Sequence, residues 1–185
     1  MPQTAPIDCS IIIVTWNVCR LLRANLARLF SLQTALRLEV FVVDNGSHDG
    51  TAAMVRTEFP NARLITNDWD AGFAGPNNQA LRLATGTVCL LLNPDMLVEP
   101  GALEATHAAL TGDHTIGVLG GRLLDVEGKP IIGSVRRFPD IASQLAIVCK
   151  AGRIFPRLLN RYLWRDFDFS RAQDVDQVRG SFFAF

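Results

Sequence analysis

Short apolar segments alternate with amphipathic segments along the first 120 residues, and this alternation constrains the fold more than any other feature of the sequence. The apolar segments are typical of buried strands, at residues 7–14, 38–43, 62–66 and 88–92. Between the first two, apolar residues recur every three or four positions over 18–30, which indicates a helix that packs by one face. Because a parallel strand pair needs a crossover of a dozen or more residues, we predict β-α-β-α-β-α-β-α-β around a mainly parallel sheet.

Polar residues and prolines mark where the later helices begin. Residues 47–51 offer polar caps for a helix over 52–59. A proline suits the first position of a helix, so we predict further helices over 76–85 and over 100–110.

The pattern changes after residue 120. Residues 123–126 and 131–135 are predicted to pair as a β-hairpin around a turn at 127–129. A helical region from Ile141 and a final strand over 175–185 complete the prediction. The fold class is therefore α/β.

Composition places the chain among globular proteins, since 49% of its 185 residues are hydrophobic and 19% are charged. Eighteen basic residues balance eighteen acidic ones, which gives no electrostatic footprint for a nucleic acid, and we predict no such partner. No apolar run approaches the roughly 20 residues of a membrane-spanning helix, and the first eight residues lack the pattern of a signal peptide. We therefore expect a cytoplasmic protein.

The cysteines and histidines match no metal-ligand spacing. The four cysteines never form a C-x-x-C pair, and the three histidines are scattered. We interpret the cysteines as buried free thiols, which favours a reducing compartment.

Polar loops follow the predicted strands, at the edge where open α/β sheets bind ligands. These loops cover residues 15–17, 44–47, 67–75 and 93–95. The last one is Asn-Pro-Asp, directly after an apolar strand. A carboxylate there can hold Mg²⁺ or Mn²⁺, because hard ions prefer oxygen ligands and substrate phosphates. Taken alone, the same residues are better explained as an ordinary turn before a helix.

The segment Asp44-Asn45-Gly46 has two interpretations. Asn-Gly suits the type I′ turn of a β-hairpin. The polar residues and apolar spacing over 47–59 favour a capped helix instead, which puts Asp44 at a strand-to-helix corner. A carboxylate at such a corner can accept hydrogen bonds from a nucleobase or a ribose.

The segment Gly72-Phe73-Ala74-Gly75 precedes a predicted helix. Its glycines would let the backbone approach a ligand closely, although two glycines before a helix more often serve a tight turn. G-x-G-x-x-G and G-x-x-x-x-G-K-[ST] do not occur, which disfavours a Rossmann dehydrogenase and a P-loop NTPase.

In their order, these segments resemble the inverting family 2 glycosyltransferases with a GT-A fold, above all the rhamnosyltransferase-like bacterial members. The matching segments are S-I-I-I-V-T-W-N at 10–17, V-V-D-N-G-S-H-D-G-T at 42–51, N-D-W-D-A-G-F-A-G-P-N-N-Q-A at 67–80 and L-L-L-N-P-D at 90–95. Segments at 128–139 and 178–185 also resemble the family. The joint occurrence of four ordered N-terminal segments is far more specific than any one of them.

The resemblance implies a Rossmann-like nucleotide-diphospho-sugar transferase fold with an incomplete C-terminal part. Residues 1–120 would be the donor-binding β/α region, and 121–185 the start of the acceptor-side region of the same domain. The implied nucleotide-sugar-binding residues are Thr15, Asn17, Asp44, Asn45, Ser47, Gly72, Asn78, Asn93 and Asp95.

The resemblance also implies a divalent cation, Mg²⁺ or Mn²⁺, held by Asp95. Asn93-Pro94-Asp95 corresponds to the D-x-D motif of the family, and Asn93 departs from it by removing one negative charge. Pro76 and Ala80 stand where related sequences often carry glycine.

The implied activity is hexosyl or rhamnosyl transfer, with inversion, from a UDP- or dTDP-linked donor. The acceptor would be a saccharide or a lipid-linked saccharide in bacterial cell-wall or surface polysaccharide synthesis. A carboxylate deprotonates the acceptor hydroxyl in such enzymes. The resemblance places that base beyond Phe185, because Asp166, Asp168, Asp174 and Asp176 come too early. We therefore expect a chain truncated at its C-terminus that transfers no sugar by itself.

Two other functions stay open. One is a non-catalytic nucleotide-sugar-binding or scaffolding module derived from such an enzyme; the missing base favours it, and the Asp44 and Asp95 loops argue against a purely structural role. The other is a nucleotidyltransferase that makes activated sugars. Its first strand should lead into a glycine-rich loop, and here that position is Thr15-Trp16-Asn17.

Basic and apolar residues are interleaved over 150–165. The arginines recur every four positions, at Arg153, Arg157, Arg161 and Arg165. Such a face could make a peripheral contact with the inner face of a membrane that carries a lipid-linked acceptor. Pro156 interrupts the pattern, so an amphipathic packing segment is the favoured interpretation.

Overall fold

The computed structural model describes residues 5–149, 160 and 162–185. Its strands are β1 (Cys9–Thr15), β2 (Leu38–Asn45), β3 (Arg63–Asn67), β4 (Val88–Leu92), β5 (Leu119–Gly120), β6 (Val135–Arg136), β7 (Gln177–Val178) and β8 (Phe182–Ala184). Its helices are α1 (Cys19–Phe30), α2 (Thr51–Glu58), α3 (Ala74–Leu81), α4 (Ala102–Gly112) and α5 (Ile141–Val148). The first nine elements confirm the predicted β-α alternation.

A six-stranded sheet in the order β3-β2-β1-β4-β8-β5 organises the fold. The β3-β2, β2-β1 and β1-β4 pairs are parallel, and β8 runs antiparallel to β4. Strand β1 has a neighbour on either side, which explains why Ile11, Ile12 and Ile13 are all buried. The continuous apolar run therefore marked the centre of the sheet, as predicted.

The strand register brings the carboxyl ends of four strands to one edge. Thr15 lies opposite Asp44, Asn45 lies opposite Asn67, and Ile12 lies opposite Leu91. We call this edge the carboxyl rim and define it as residues 15–17, 44–51, 67–75 and 93–98. All four loops predicted to bind a ligand belong to it.

Two predicted helix starts are wrong by about two residues. Helix α3 begins at Ala74, so Pro76 is its third residue, and it ends at Leu81. The first four N–H groups of a helix have no partner within it, so a proline fits anywhere in that turn. Helix α4 begins only after Gly101, whose φ of 81° is left-handed and cannot belong to the helix.

The predicted hairpin over 123–135 is reduced to a single bridge between Leu124 and Pro130. The Asp125 carboxylate closes the turn by accepting from the backbone N–H of Glu127 and of Lys129, both at 2.9 Å. The bridge is closed by the Asp125 N–H, which donates to the Lys129 carbonyl, and by the Ile131 N–H, which donates to the Leu123 carbonyl, both at 2.9 Å. Val135 pairs instead with Val178 in a separate two-stranded sheet of β6 and β7.

The predicted final strand over 175–185 is likewise two short strands. Strand β7 pairs with β6, and β8 joins the main sheet beside β4. Contacts divide the chain into two compact units, Met1–Leu119 with Gly180–Phe185, and Gly120–Arg179. The carboxyl rim belongs to the first unit.

The cysteines are free, and they differ in exposure. Cys9 is buried, and burial raises the pKa of its thiol to about 12, so this thiol stays protonated. Cys149 is exposed, so the prediction of buried thiols is wrong for that residue.

Within the part of the chain that the structure describes, no helix is long and apolar enough to cross a membrane. Three of the four arginines of the interleaved basic segment, Arg153, Arg157 and Arg161, lie outside the described residues.

Candidate functional site

Strands β1 and β2 end side by side with Thr15 directly opposite Asp44. Both residues are buried, at 1% and 3% exposure. Thr15 Oγ1 has no hydrogen-bond partner among the described residues, and Asp44 Oδ1 accepts a long bond of 3.3 Å from the Ser47 backbone N–H. An unpaired buried hydroxyl costs about 1–3 kcal/mol, a cost that a ligand bonded to it would remove.

The corner after Asp44 requires its glycine. Gly46 has a φ of 78°, and a Cβ placed there would lie 3.0 Å from the Cα of Trp69. The chain then enters α2 rather than a returning strand, which confirms the strand-to-helix interpretation and excludes the hairpin turn.

Asn17 and Ser47 tie the first two loops of the rim together. The Asn17 backbone N–H donates to Ser47 Oγ at 2.9 Å, and Asn17 Oδ1 accepts from the His48 backbone N–H at 2.8 Å. Asn17 has a φ of 51°, a left-handed conformation that asparagine tolerates better than most residues. Both side chains therefore hold the loops in place, and their contact with a ligand stays a prediction.

Asp49 strengthens the same junction, and the sequence interpretation did not single it out. Its Oδ2 accepts from the Cys19 backbone N–H at 2.8 Å, which caps α1 from a different loop, and its Oδ1 accepts from Thr51 Oγ1 at 2.5 Å. Burial raises the pKa of Asp49, but the hydrogen bonds from Thr51 and Cys19 outweigh it and hold the pKa below its ordinary value. The only signal in the sequence was the polar cap over 47–51, which shows the local turn and not the distant helix.

Asn45 clamps the loop between β3 and α3. Its Nδ2 donates to Asp70 Oδ1 and, at 3.1 Å, to the carbonyl of Gly72. Its Oδ1 accepts from Asn67 Nδ2 at 3.2 Å and from the Ala71 backbone N–H at 3.1 Å. The buried Asn45 amide thus forms its hydrogen bonds within the protein, and Asn45 stabilises the conformation of the rim.

Gly72 lies within the rim, and Asn78 follows it on helix α3. Gly72 has a φ of 74°, and a Cβ placed there would meet no atom of the described residues within 4 Å. Asn78 is exposed on α3, whereas the neighbouring Asn77 is buried and donates from Nδ2 to the Phe73 carbonyl at 2.8 Å. The structure therefore leaves space beside both predicted residues.

The Asn93-Pro94-Asp95 loop follows β4, on the other side of β1 from Asp44. The Asn93 backbone N–H donates to the Ser181 carbonyl at 3.0 Å, and its Nδ2 lies 3.4 Å from Ser181 Oγ. Asn93 is half-buried, and Asp95 is exposed. The two loops that carry the predicted carboxylates thus follow the strands on either side of β1, at the same edge of the sheet.

The Asn93-Pro94-Asp95 loop has few metal ligands of its own. Residues 5–149, 160 and 162–185 contain no group of three or more histidine, cysteine, aspartate or glutamate side chains that could hold an ion. Asp95 offers one carboxylate and Asn93 one amide. This donor set fits a hard cation that takes its remaining ligands from a diphosphate and water, and it does not fit a fully protein-bound ion.

The fold and the rim define an α/β protein whose binding loops gather at the carboxyl ends of parallel strands. Comparison with known families identifies the family within this class. The model of "Glycosyl transferase family 2" matches residues 10–173. The chain therefore belongs to glycosyl transferase family 2, and its structural neighbours have the GT-A fold.

Two curated relatives are similar in sequence. The N-acetylglucosaminyl-diphospho-decaprenol L-rhamnosyltransferase of Mycobacterium tuberculosis is 27% identical over 143 residues, which cover 71% of this chain and 46% of that protein. The hyaluronan synthase of Pasteurella multocida is 30% identical over 125 residues, which cover 65% of this chain and 13% of that protein.

Two solved structures are similar in fold and sequence. The mannosyltransferase PcManGT of Pyrobaculum calidifontis, in complex with GDP-Man and Mn²⁺, has a TM-score of 0.57 at 27% identity, with 66% of this chain and 39% of that chain covered. S. aureus TarS 1-349 in complex with UDP-GlcNAc has a TM-score of 0.59 at 25% identity, with coverages of 70% and 38%. The chain spans less than half the length of each of these four proteins.

Proposed function

We propose that this chain forms the donor-binding region of an inverting glycosyltransferase that uses a nucleotide-diphosphate sugar. The observation that carries the proposal is the pair of Thr15 and Asp44, buried side by side at the rim with the Thr15 hydroxyl unpaired. A nucleoside offers both hydroxyl and N–H groups, which suit one carboxylate and one hydroxyl at the bottom of a site. TarS bound to UDP-GlcNAc and PcManGT bound to GDP-Man support this ligand class.

Within this proposal, Asp44 accepts hydrogen bonds from the base or ribose, and the Thr15 hydroxyl bonds the same nucleoside. Gly72 and Asn78 border the donor. Asn17, Asn45 and Ser47 act on the donor mainly by holding the loops that enclose it. UDP- and dTDP-sugars are the proposed donors.

Asp95 is the proposed ligand of a divalent cation, Mg²⁺ or Mn²⁺. Such an ion would neutralise charge that builds on the departing nucleoside diphosphate. Because the chain contributes one carboxylate here, we expect the cation to bind weakly without a diphosphate and more tightly with one. The complex of PcManGT with Mn²⁺ supports a cation at this kind of fold.

The proposed acceptor is a saccharide hydroxyl, on a lipid-linked saccharide in bacterial cell-wall or surface polysaccharide synthesis. The rhamnosyltransferase of M. tuberculosis, whose name includes a decaprenol-linked sugar, supports this choice. A lipid-linked acceptor would bring the protein to the cytoplasmic face of a membrane. The base that deprotonates the acceptor hydroxyl is assigned to no residue of this chain.

Calorimetric titration of UDP and of dTDP, each with and without Mn²⁺, tests the proposal. Asp44→Ala should weaken binding with and without Mn²⁺ by roughly 10- to 150-fold, the value of a hydrogen bond to a charged group. Asp95→Ala should weaken binding only when Mn²⁺ is present.

Asp113→Ala is the matched control, because Asp113 is an exposed aspartate outside the rim that accepts from the Thr115 backbone N–H at 2.9 Å. It should bind the nucleotides like the parent. Parent-like binding by both rim variants, or an equal loss in the control, would show that the site assignment is wrong.

A further inference from the structure

Asn25 lies on the buried face of α1 and reaches the loop that carries Asp95. The residue is 2% exposed. Its Nδ2 donates to the Asn93 carbonyl at 3.2 Å and to the Met96 carbonyl at 2.6 Å. We propose that Asn25 is a positioning residue that fixes the turn from Asn93 to Met96, and through this turn the Asp95 carboxylate. The inference rests on the function proposed above for Asp95.

The location of Asn25 argues for a specific role. Its neighbours on the buried face of α1 are Leu22, Leu26 and Leu29. An asparagine among leucines removes apolar burial, and its Oδ1 is buried with no hydrogen-bond partner in the described part of the chain. The side chain therefore stabilises the fold through its two N–H donors alone, and both act on the same turn.

The turn is held from two directions, neither of which uses the Asp95 side chain. The Met96 backbone N–H closes it on the Asn93 carbonyl at 3.2 Å, and the Asn93 backbone N–H donates to the carbonyl of Ser181, the residue before β8, at 3.0 Å. Asn25 bridges the first and last carbonyls of the turn, so it sets the distance between them. The exposed Asp95 takes its position from that backbone.

Arg28, one helical turn further along α1, continues the same contact. Its Nε donates to the Val98 carbonyl at 3.0 Å. Helix α1 thus holds the loop after β4 at two places, and Asn25 is the one beside Asp95. The two residues should therefore have different effects. Loss of Arg28 should free the end of the loop that is remote from the Asp95 carboxylate.

Two variants remove the donors in different ways. Asn25→Asp keeps the size of the side chain and places a carboxylate against two carbonyls, whereas Asn25→Leu removes the unpaired oxygen together with the donors. Ser10→Ala is the matched control, since Ser10 is a buried hydrogen-bonding residue at the opposite end of β1. Asp95→Ala is included to test the proposed function itself.

Two quantities are measured on each variant. One is the ratio of UDP affinities with and without Mn²⁺, by calorimetry, which depends on the position of Asp95. The other is amide hydrogen exchange over residues 93–98, which reports on the turn without any ligand. A general loss of stability would change neither quantity selectively.

We expect Asn25→Leu to lower the affinity ratio by roughly tenfold while the affinity without Mn²⁺ changes less than about twofold. Exchange over 93–98 should rise against the rest of the chain, and Asn25→Asp should show the same changes to a larger extent if it folds. Parent-like exchange over 93–98 in Asn25→Leu, or an unchanged ratio where Asp95→Ala lowers it, would overturn the inference. If Asp95→Ala keeps the parent ratio, the proposed role of Asp95 is wrong, and exchange over 93–98 alone decides whether Asn25 holds the turn.

Discussion

The two ends of strand β1 treat a buried hydroxyl in opposite ways. At the amino end, which we call the amino rim and define as Ser10, Glu39, Thr85 and Gly86, the protein supplies the partners itself. Glu39 Oε1 accepts from Ser10 Oγ at 2.6 Å and from the Thr85 backbone N–H at 2.6 Å, whereas Oε2 accepts no hydrogen bond among the described residues and forms an ion pair with Arg63 at 3.0 Å. The Gly86 backbone N–H in turn donates to Ser10 Oγ at 2.8 Å.

At the carboxyl rim, the buried hydroxyl of Thr15 is left without a partner. Thr15 Oγ1 is unpaired, and so is Asn25 Oδ1 behind the Asp95 loop, within the residues that the structure describes. An unpaired buried polar atom costs stability. Its presence is best explained by a ligand that binds it, or by another atom of the same side chain that forms hydrogen bonds. The comparison teaches that the Ser10 hydroxyl contributes to the stability of the fold, whereas the Thr15 hydroxyl is available to the ligand proposed for the carboxyl rim.

The largest expected effect tests whether the amino rim is closely packed. A Cβ on Gly86 would lie 2.5 Å from the Ser10 backbone nitrogen, so backbone must move. Gly86→Ala should lower the free energy of unfolding by about 3 kcal/mol, measured by urea denaturation. Gly75→Ala, on the carboxyl rim, is the control: its Cβ would meet only Ala71 Cβ at 4.0 Å, and alanine favours the helix, so stability should not fall. Equal losses in the two variants would remove the distinction between the rims.

The next effect concerns the charge at the amino rim. Burial raises the pKa of Glu39, but the hydrogen bonds from Ser10 and Thr85 and the charge of Arg63 outweigh it, so the folded-state pKa lies below the ordinary value of 4.5. The unfolded chain then binds more protons, so this stabilisation is complete above pH 4.5 and is lost as the pH falls through the folded-state pKa. Glu39→Gln should lose about 2 kcal/mol at neutral pH, and its difference from the parent should shrink in acid.

Urea denaturation between about pH 3 and pH 7 measures this difference. Glu58→Gln is the control, because Glu58 pairs with Arg23 on the surface, where the two side chains are 42% and 47% exposed. Its loss should stay below about 1 kcal/mol. A gap between Glu39→Gln and the parent that stays constant into acid would contradict the folded-state pKa inferred for Glu39.

The smallest effect compares one hydroxyl at each end of β1. Thr15→Val replaces the unpaired hydroxyl by a methyl group of similar size, so the free energy of unfolding should rise by about 1 kcal/mol or stay unchanged. Ser10→Ala removes a paired hydroxyl and should lower it by about 1 kcal/mol. For nucleotide affinity, the variant that changes should be Thr15→Val, which we expect to bind UDP about fivefold more weakly. Ser10→Ala should bind UDP like the parent. Thermal unfolding measures the change in stability, and calorimetry on the same samples measures the change in UDP affinity. A destabilised Thr15→Val would count against the binding role of the hydroxyl.

The parts of the fold that followed from sequence are those set by local patterns. The run Ile11–Val14 predicted a buried strand, and the spacing of Leu22, Leu26 and Leu29 predicted α1, because period and apolar content alone decide such elements. The hairpin over 123–135 failed because Val135 pairs with Val178, more than 40 residues away, a choice that no local pattern encodes. Helix boundaries at Ala74 and Gly101 failed for the smaller reason that a proline fits more than one position near a helix start.

The candidate site divides in the same way. Asp44 and Asp95 could be found in sequence because each directly follows an apolar strand, and strands of a parallel sheet end at one edge. Asn25 and Asp49 could not, since each acts on a loop far away in the chain: Asn25 on residues 93–96, and Asp49 on the start of α1. When a residue stabilises a loop that is distant in the chain, the sequence around that residue gives no indication of the contact.

The sequence by itself determined the alternation of strands and helices, the edge of the sheet at which the polar loops gather and the family, because these depend on periodicity and on ordered motifs. The tertiary structure alone decided which polar side chains at that edge are occupied by the protein and which remain unpaired. In the sequence, Asn45 and Thr15 look equally suited to bind a ligand. In the structure, the Asn45 amide forms hydrogen bonds with residues in 67–72, whereas the Thr15 hydroxyl has no hydrogen-bond partner among the described residues. Hydrogen-bond satisfaction depends on distances between segments remote in the chain, so only the folded arrangement distinguishes the two.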